Sequence, residues 1–391
     1  MKYFIDIETT AGEKKGAGPL LPTKWSFTSR LSRAGSFSFT YPALDARKKE
    51  VLTHRIAHCQ SVDRTRGVND FGSGVIEKNV LSIPTKNSLT ITTTGGDLLR
   101  ELQFRTVSRL VIDDGNEGEV HTGITDIMEF APSGWSIDTV IGYDTTLKAV
   151  AHNFDGETVL AALVKLAELT GENFYNDGRK LVWIRKDRHA ATVRAVQSAG
   201  GISLNTNPDV CIIQSLRRTE DAAESQIGRT YAVSGNTDGI SATTKTPPTG
   251  WVHGAGAPGM IDYLEHTATW NAYGIEKWKV FSEIEASTLP NEADRLYEAV
   301  FEWMSLHLAN FYSYTVTITG LQKPLHPGQL IALEYRNFID GYKAIDINEE
   351  LLILENKTDI NAAGGVINRL TIANIARWPD GSAEIFARNL K

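Results

Sequence analysis

Cysteine is nearly absent: Cys59 and Cys211 are the only two in 391 residues. That excludes a disulfide framework and a thiolate zinc site, so both are expected to be small buried hydrophobes. No stretch approaches the roughly 18 consecutive apolar residues of a membrane-spanning helix. The opening MKYFIDIETTAG also lacks the apolar segment of a signal peptide, so the protein is expected to be made in a cytoplasm and to leave it, if at all, as part of an assembly. Positive charge is in short supply as well, with 40 Lys and Arg against 47 Asp and Glu and a net charge of -7. Such a balance argues against a surface that holds nucleic acid by neutralising phosphates, while leaving room for DNA in transit past an acidic wall. Missing too are a Gly-x-Ser-x-Gly elbow, a His-Glu-x-x-His helix and a Walker loop. No catalytic, cofactor-binding or metal-binding residue is assigned.

What the chain does have is length, turn residues and alternation. At 391 residues two to four domains are expected, and 33 Gly and 13 Pro supply many turns. The segment Trp25–Arg47, WSFTSRLSRAGSFSFTYPALDAR, reads as a hairpin. Trp25 and Phe27 share one strand parity and Phe37, Phe39 and Tyr41 share the next, with Ser29–Gly35 as the turn. Pro42 ends the second strand and leaves Asp45, Arg47, Lys48, Lys49 and Glu50 to solvent. Val75–Ser82 and Leu89–Thr94 read as strands, with Gly95 and Gly96 as a break and Asp97 as cap of a short helix through Leu98, Leu99 and Leu102. A first barrel then closes near residue 108. From Leu110 to Gly142, turns separate strand-like runs, as in a small insertion. Leu160, Leu163, Val164 and Ala167 lie at helical spacing, and Gly171 is the stop. Asn176-Asp177-Gly178 turns into the strand LVWI.

Beyond Asn207 a second β block begins. The loop 234–259 holds six Gly and three Pro and reads as exposed and unusually long. A helix over 289–309, opened by Thr288 and Pro290, carries the stripe Tyr297, Val300, Phe301, Met304 and Leu308. Tyr312, Tyr314, Val316 and Ile318 alternate against Ser313, Thr315, Thr317 and Thr319 as a half-buried strand. Pro327-Gly328 and Asp340-Gly341 are turn signals, and LLILEN and NRLTIANIARWP close the strand series.

Several patterns have a duller reading that wins. Gly254-x-Gly256-x-x-Gly259 sits among Pro247, Pro248 and Pro258 without a strand–helix context, so it is a loop rather than a dinucleotide fingerprint. His54 and His58 beside Cys59 have zinc-like spacing, yet alternation puts His54, Ile56 and His58 on one strand face with no further ligands. Asp113, Asp114, Glu117 and Glu119 lack calcium-loop spacing and read as a solvated turn. Glu349 and Glu350 point to opposite faces of a strand and cannot form an acid/base pair.

The pieces AGSFSFTYPA, LKAVAHNFDGETVLAALVKLAELTG, and LHPGQLIALEY with ILEN after it occur in an order that resembles the tail hub, or baseplate hub, proteins of long-tailed bacteriophages. The resemblance implies a mainly β chain with a few helices: two β-barrel tube-type domains with smaller α+β insertions. The expected division is a first barrel over 1–108, an inserted α+β region over 109–200 and a second barrel over 201–391. It further implies a homotrimer whose six barrels cap a hexameric tail tube or distal tail ring, join it to a three-fold fibre or spike, and form part of the DNA ejection channel of a virion. Some relatives carry a peptidase or cell-wall hydrolase after the hub region, and none is expected here, since the last hub-like strand pair lies close to residue 391. Partner contacts are expected in the charged turn and the long loop, at Asp113, Asp114, Glu117, Glu119, Asp238, Trp251 and His253. The alternatives are a carbohydrate-binding or carbohydrate-processing β protein, given eight Trp and 12 Tyr, and a secreted adhesin or toxin component.

Overall fold

The structure is a computed structural model that describes residues 2–63, 67–85, 88–112, 120–138, 152–170, 172–184, 190–198, 207, 209–221, 227–233, 239–256, 261–272, 277–282, 292–308, 311–321, 324–339 and 342–374. Packing divides the chain into two compact units, Met1–Arg217 with Tyr314–Ile372 and Arg218–Ser313 with Ala373–Lys391.

The first unit begins with β1 (Lys2–Glu8), β2 (Lys14–Leu20), β3 (Lys24–Arg30), β4 (Arg33–Pro42), β5 (Ile56–Asp63), β6 (Gly67–Thr85) and β7 (Ser88–Asp97). Their order in the sheet is β2-β1-β5-β6-β7-β4-β3. Tyr3, Ile5 and Ile7 of β1 nevertheless share one buried cluster with Trp25 of β3 and with Phe37, Phe39 and Tyr41 of β4. Strands that stand far apart in order can meet in one core only if the sheet rolls up, as it does in a barrel. Trp25 stacks on Phe37 and Phe39 with ring centroids 5.5 and 5.8 Å apart, and each such ring contributes about 2–3 kcal/mol through burial.

The hairpin of β3 and β4 is tighter than its composition suggests. Arg30 pairs with Arg33, so the loop is Leu31 and Ser32 alone rather than Ser29–Gly35. Ser29 and Arg30 stay in the sheet because they also pair with Asn356 and Glu355, and Ser32 takes φ 52°. Past Pro42, Asp45 caps a short 3₁₀ helix at Ala46–Glu50. There Arg47 is not simply solvated, since it grips Asp45 with hydrogen bonds of 2.8 and 2.6 Å. Gly95 and Gly96 likewise do not break β7. A Cβ on Gly95 would lie 1.9 Å from the Val75 carbonyl oxygen, so glycine there permits close strand approach inside the sheet.

An inserted region has its own core. It contains a 3₁₀ helix at Leu98–Phe104, β8 (Leu110–Ile112), α1 (Val120–Met128), β9 (Ser136–Asp138), β10 (His152–Phe154), α2 (Val159–Thr170), β11 (Asn173–Asp177) and β12 (Lys180–Ile184). Leu160, Leu163 and Ala167 are buried as their spacing requires, together with Ile124, Ile127, Phe174 and Trp183. Helix α1 falls where strand-like runs were expected. Its Val120, Ile124, Ile127 and Met128 have helical spacing, and Gly123 lets Ile112 approach, as a Cβ there would stand 2.7 Å from Ile112 Cδ1.

The chain continues as β13 (Ala190–Val196) and β14 (Val210–Asp221). It then enters the second unit, with β15 (Arg229–Val233), β16 (Trp251–Gly254), β17 (Tyr263–His266), α3 (Thr267–Ala272), β18 (Trp278–Ser282) and α4 (Glu292–His307). It returns through β19 (Phe311–Thr319), β20 (Gln329–Ile339), β21 (Tyr342–Asn361) and β22 (Val366–Ala373). The order β21-β20-β13-β14-β19-β22 with an added β21–β22 pairing closes this set into a ring. In β19, Tyr314, Val316 and Ile318 are buried as expected, but so is Ser313, while Tyr312 is half-buried. Gly328 (φ 82°) makes the turn into β20, where a Cβ would strike Ile184 Cδ1 at 2.0 Å.

The twenty-residue β21 joins the two sets of strands into one continuous sheet: Leu330–Ile339 of β20 pairs with its first half, and β3 pairs with Glu355–Asn361.

Candidate functional site

The second unit is a four-stranded sheet, β16-β17-β15-β18, with α4 packed against it. The expected stripe on α4 forms its core: Tyr297, Val300 and Met304 are buried with Ile227, Ile240 and Leu264, and Phe301 and Leu308 pack at the margin. The segment read from sequence as a long exposed loop is tied down here. Ile240 is fully buried. Asp294 on α4 accepts hydrogen bonds from Thr243 Oγ1 (2.7 Å), the Thr244 amide (2.6 Å) and Thr244 Oγ1 (2.6 Å). Those donors favour the charged carboxylate, which is drawn down to about 2. Residues 251–254 are the strand β16.

Of the expected contact residues, Asp113, Asp114, Glu117, Glu119 and Asp238 lie outside the described residues. Trp251 and His253 sit two apart on β16 and so share a face. Trp251 is an anchor, with its ring 4.7 Å from Phe301 and 4.9 Å from His266. His253 Nε2 stands 3.1 Å from Asp262 Oδ2, and Asp262 Oδ1 accepts from the Gly256 amide at 3.2 Å. This clamps the connection between β16 and β17 where the glycine-rich pattern lies.

The opposite face of the same sheet carries a group the sequence reading did not isolate. Arg229 and Glu265 are direct cross-strand neighbours and pair at 2.5 Å, while the guanidinium lies 4.2 Å over the Tyr263 ring. Tyr231 stands 5.4 Å from Tyr263. The signal was available in RTYAV and YLEH, whose alternation puts an arginine, two tyrosines and a glutamate at matching parity.

In the first unit His54 and His58 do not share a strand face. His54 has φ 65° and lies before β5, its ring 6.5 Å from Phe104. His58 lies between carboxylates: Nδ1 is 2.6 Å from Ser73 Oγ, and Nε2 is 3.1 Å from Glu8 Oε2 without hydrogen-bond alignment. Burial opposes its charge, but Asp70 and Glu8 outweigh that and raise its pKa above the usual value. The series carboxylate, imidazole, hydroxyl has the order of a nucleophile relay but not its chemistry. Ser73 Oγ donates to Asp70 Oδ2 (3.1 Å), and the nearby Gly72 amide is already bonded to Asp70 Oδ1 (2.9 Å). With its proton given to Asp70, the Ser73 hydroxyl does not donate to the imidazole as a relay nucleophile would. The network ties β1, β5 and β6 together.

Beside it lies a cavity of about 50 Å³, lined by Asp70, Ser73, Asn176, Asp177, His326 and Thr358 among others, with space for a water or two. Burial lowers the pKa of His326, against the opposing pull of Asp177 and Asp70, and its ring stacks on Tyr175 at 5.1 Å. Among the described residues no group of three or more His, Cys, Asp or Glu is placed to hold a metal ion. No described helix is long and apolar enough to cross a membrane. Cys59 and Cys211 are buried and unpaired in disulfides.

No protein-family model matches the chain, and no curated protein matches it. Solved structures do. A tail protein from Neisseria meningitidis MC58 superposes with a TM-score of 0.62 at 12% identity, over 96% of this chain and 97% of that one. The 43 kDa tail protein of prophage MuSo2 from Shewanella oneidensis gives 0.59 at 15% identity, over 94% and 98%. The E. coli c3393 protein, described as a type VI secretion component structurally similar to T4 tail proteins gp27 and gp5, gives 0.50 at 11%, over 100% and 79%. At these identities the common property is the fold. The chain has the fold of phage tail proteins, as the tail-hub resemblance of its sequence implies.

Proposed function

We propose that this chain is a structural tail protein, a hub that assembles as a homotrimer. The observation that carries the reading is an end-to-end match in fold and length to a tail protein, covering 96% of one chain and 97% of the other. Support within the chain comes from a rolled sheet and a closed ring of strands joined through β21. Two barrels per chain give three chains six similar walls. That is a closed cyclic way to meet a six-fold tube on one side and a three-fold fibre or spike on the other. In this reading the trimer caps the tail tube or distal tail ring in the virion, assembles in the host cytoplasm, and lines part of the DNA channel. Its net charge of -7 suits a conduit that does not retain DNA. The turn carrying Asp113, Asp114, Glu117 and Glu119, and the segment with Asp238, Trp251 and His253, are proposed as partner contacts. The role in this reading is non-enzymatic: the relay-like series found among the described residues, Glu8–His58–Ser73, has its hydroxyl proton and its neighbouring amide engaged by Asp70.

Electron microscopy of the purified protein tests this directly. The expected image is a ring with three-fold symmetry and a central opening. Isolated single-chain particles, unchanged on mixing with the tail-tube protein of the same particle, would count against it.

A further inference from the structure

The cavity beside the His58 network forms where three distant stretches of the first unit meet: β6 at 70–73, the β11–β12 turn at 176–178 and the approach to β20 at 324–326. His326 sits between them. Its main chain is committed to the turn, as its amide donates to Gln329 Oε1 at 3.1 Å and its carbonyl accepts from the Gln329 amide at 3.4 Å. The Gly328 amide then bonds to the Ile353 carbonyl at 2.8 Å. The imidazole is half-buried and stacks on Tyr175 with ring centroids 5.1 Å apart. It makes no hydrogen bond or ion pair among the described residues.

A neutral ring suits such a place, because an aromatic face and a small polar cavity demand little of it. A charged ring needs a counter-charge, and the two carboxylates at the cavity are poorly placed to supply one. Asp70 on β6 is already engaged, Oδ1 by the Gly72 amide at 2.9 Å and Oδ2 by the Ser73 hydroxyl at 3.1 Å. The same Oδ2 lies 3.8 Å from His58 Nδ1. Asp70 and Glu8 draw His58 towards its protonated form, so a second imidazolium would meet the first across one carboxylate. Asp177 on β11 is exposed and makes no ion pair among the described residues. A charged His326 reaches it only by turning out of the stack on Tyr175. Tyr175 itself stays neutral, its phenol pushed up to about 12 by burial. Burial prevails at His326 as well, and holds its pKa below the usual value against both carboxylates.

We propose that His326 is an acid-released latch: as an imidazole it pins the 324–329 turn against the β11–β12 turn, and as an imidazolium it leaves Tyr175 for solvent and lets the two turns part. What they uncover is the margin of the first barrel core, since Phe27 and Phe71 of the Trp25 cluster line the same cavity. The device lies within one chain and does not depend on the homotrimer.

A histidine whose folded pKa lies beneath its unfolded value contributes stability that is complete above the unfolded value, about 6.5, and is lost as pH falls towards the folded one. Opening of the two turns should therefore rise by up to about tenfold per pH unit below about 6.5, then level off beneath the folded pKa. Hydrogen exchange read by mass spectrometry between pH 8 and 5, with times scaled for the intrinsic rate, tests this. Peptides holding Gly328 and Gln329, and those from the β11–β12 turn, should lose protection over that range relative to peptides from α4. His326→Phe keeps a ring on Tyr175 without a titrating proton, and His326→Asn serves if the larger ring disturbs the turn. Either variant should show no such loss. Protection at 324–329 that stays level in the wild type, or that falls equally in the variants, overturns the latch.

Discussion

Asp97 and Gly35 meet in the interior of the first unit: the Asp97 carboxylate accepts a 2.7 Å hydrogen bond from the Gly35 amide while fully buried. Asp97 leads into the 3₁₀ helix at Leu98–Phe104, as its position before three leucines suggests. Its second oxygen lacks an aligned partner, although the amides of Leu99 and Arg100 are near enough to favour the charge. Burial dominates and pushes its pKa up to about 7.

Asp97 should therefore make stability pH-dependent in an identifiable direction. A carboxyl whose folded pKa exceeds its unfolded value favours the folded state fully below the unfolded value, about 4. It loses that contribution as pH rises through about 7. The expected result is a fall in unfolding free energy between pH 4 and 8, bounded by about 4 kcal/mol for this group. In Asp97→Asn the fall should flatten, with the variant gaining on the wild type at pH 8 and trailing it at pH 5. Denaturant titrations at each pH check this, and an unchanged slope in the variant would refute it.

Glu101 is the other carboxylate at depth on this helix, and it is paired. Arg179 holds it through bonds of 2.9 and 2.7 Å, and the Trp135 indole donates at 3.0 Å. Arg179→Met strands a buried charge and should cost about 3 kcal/mol or more. Adding Glu101→Met removes that charge and should restore part of the loss. Urea midpoints of the two variants decide between coupled and independent effects.

Gly95→Ala should be severe. The new methyl would overlap the Val75 carbonyl and the Phe37 ring, so β6 or β4 must shift, at a cost of about 3 kcal/mol or more. Gly156→Ala is the contrast, with φ 96° but nothing within 4 Å. It should cost only about 1 kcal/mol from backbone strain. Equal losses in thermal unfolding would show that close strand approach is not what Gly95 serves.

These positions also show what the sequence discloses. Parity found the aromatic face of β3 and β4, and helical spacing found α2 and α4, because each signal is carried by large apolar side chains at regular intervals. Turn length was misread at Ser29–Gly35 because the partner that keeps Ser29 and Arg30 extended, β21, lies more than 300 residues away along the chain. Gly95 and Gly96 read as a break because glycine looks alike whether it ends a strand or admits a neighbouring one. Helix α1 was hidden by its β-branched residues and Gly123. The segment with Thr243 and Thr244 looked free because the carboxylate that pins it, Asp294, belongs to a helix some 50 residues further along the chain.

The mass of the purified protein in solution, followed by light scattering from dilute to concentrated samples, bears most directly on the hub assignment. Three chains of 43.0 kDa, a particle of about 129 kDa, or a reversible rise towards that mass with concentration, is the expected result. A constant 43.0 kDa at every concentration would contradict the homotrimer.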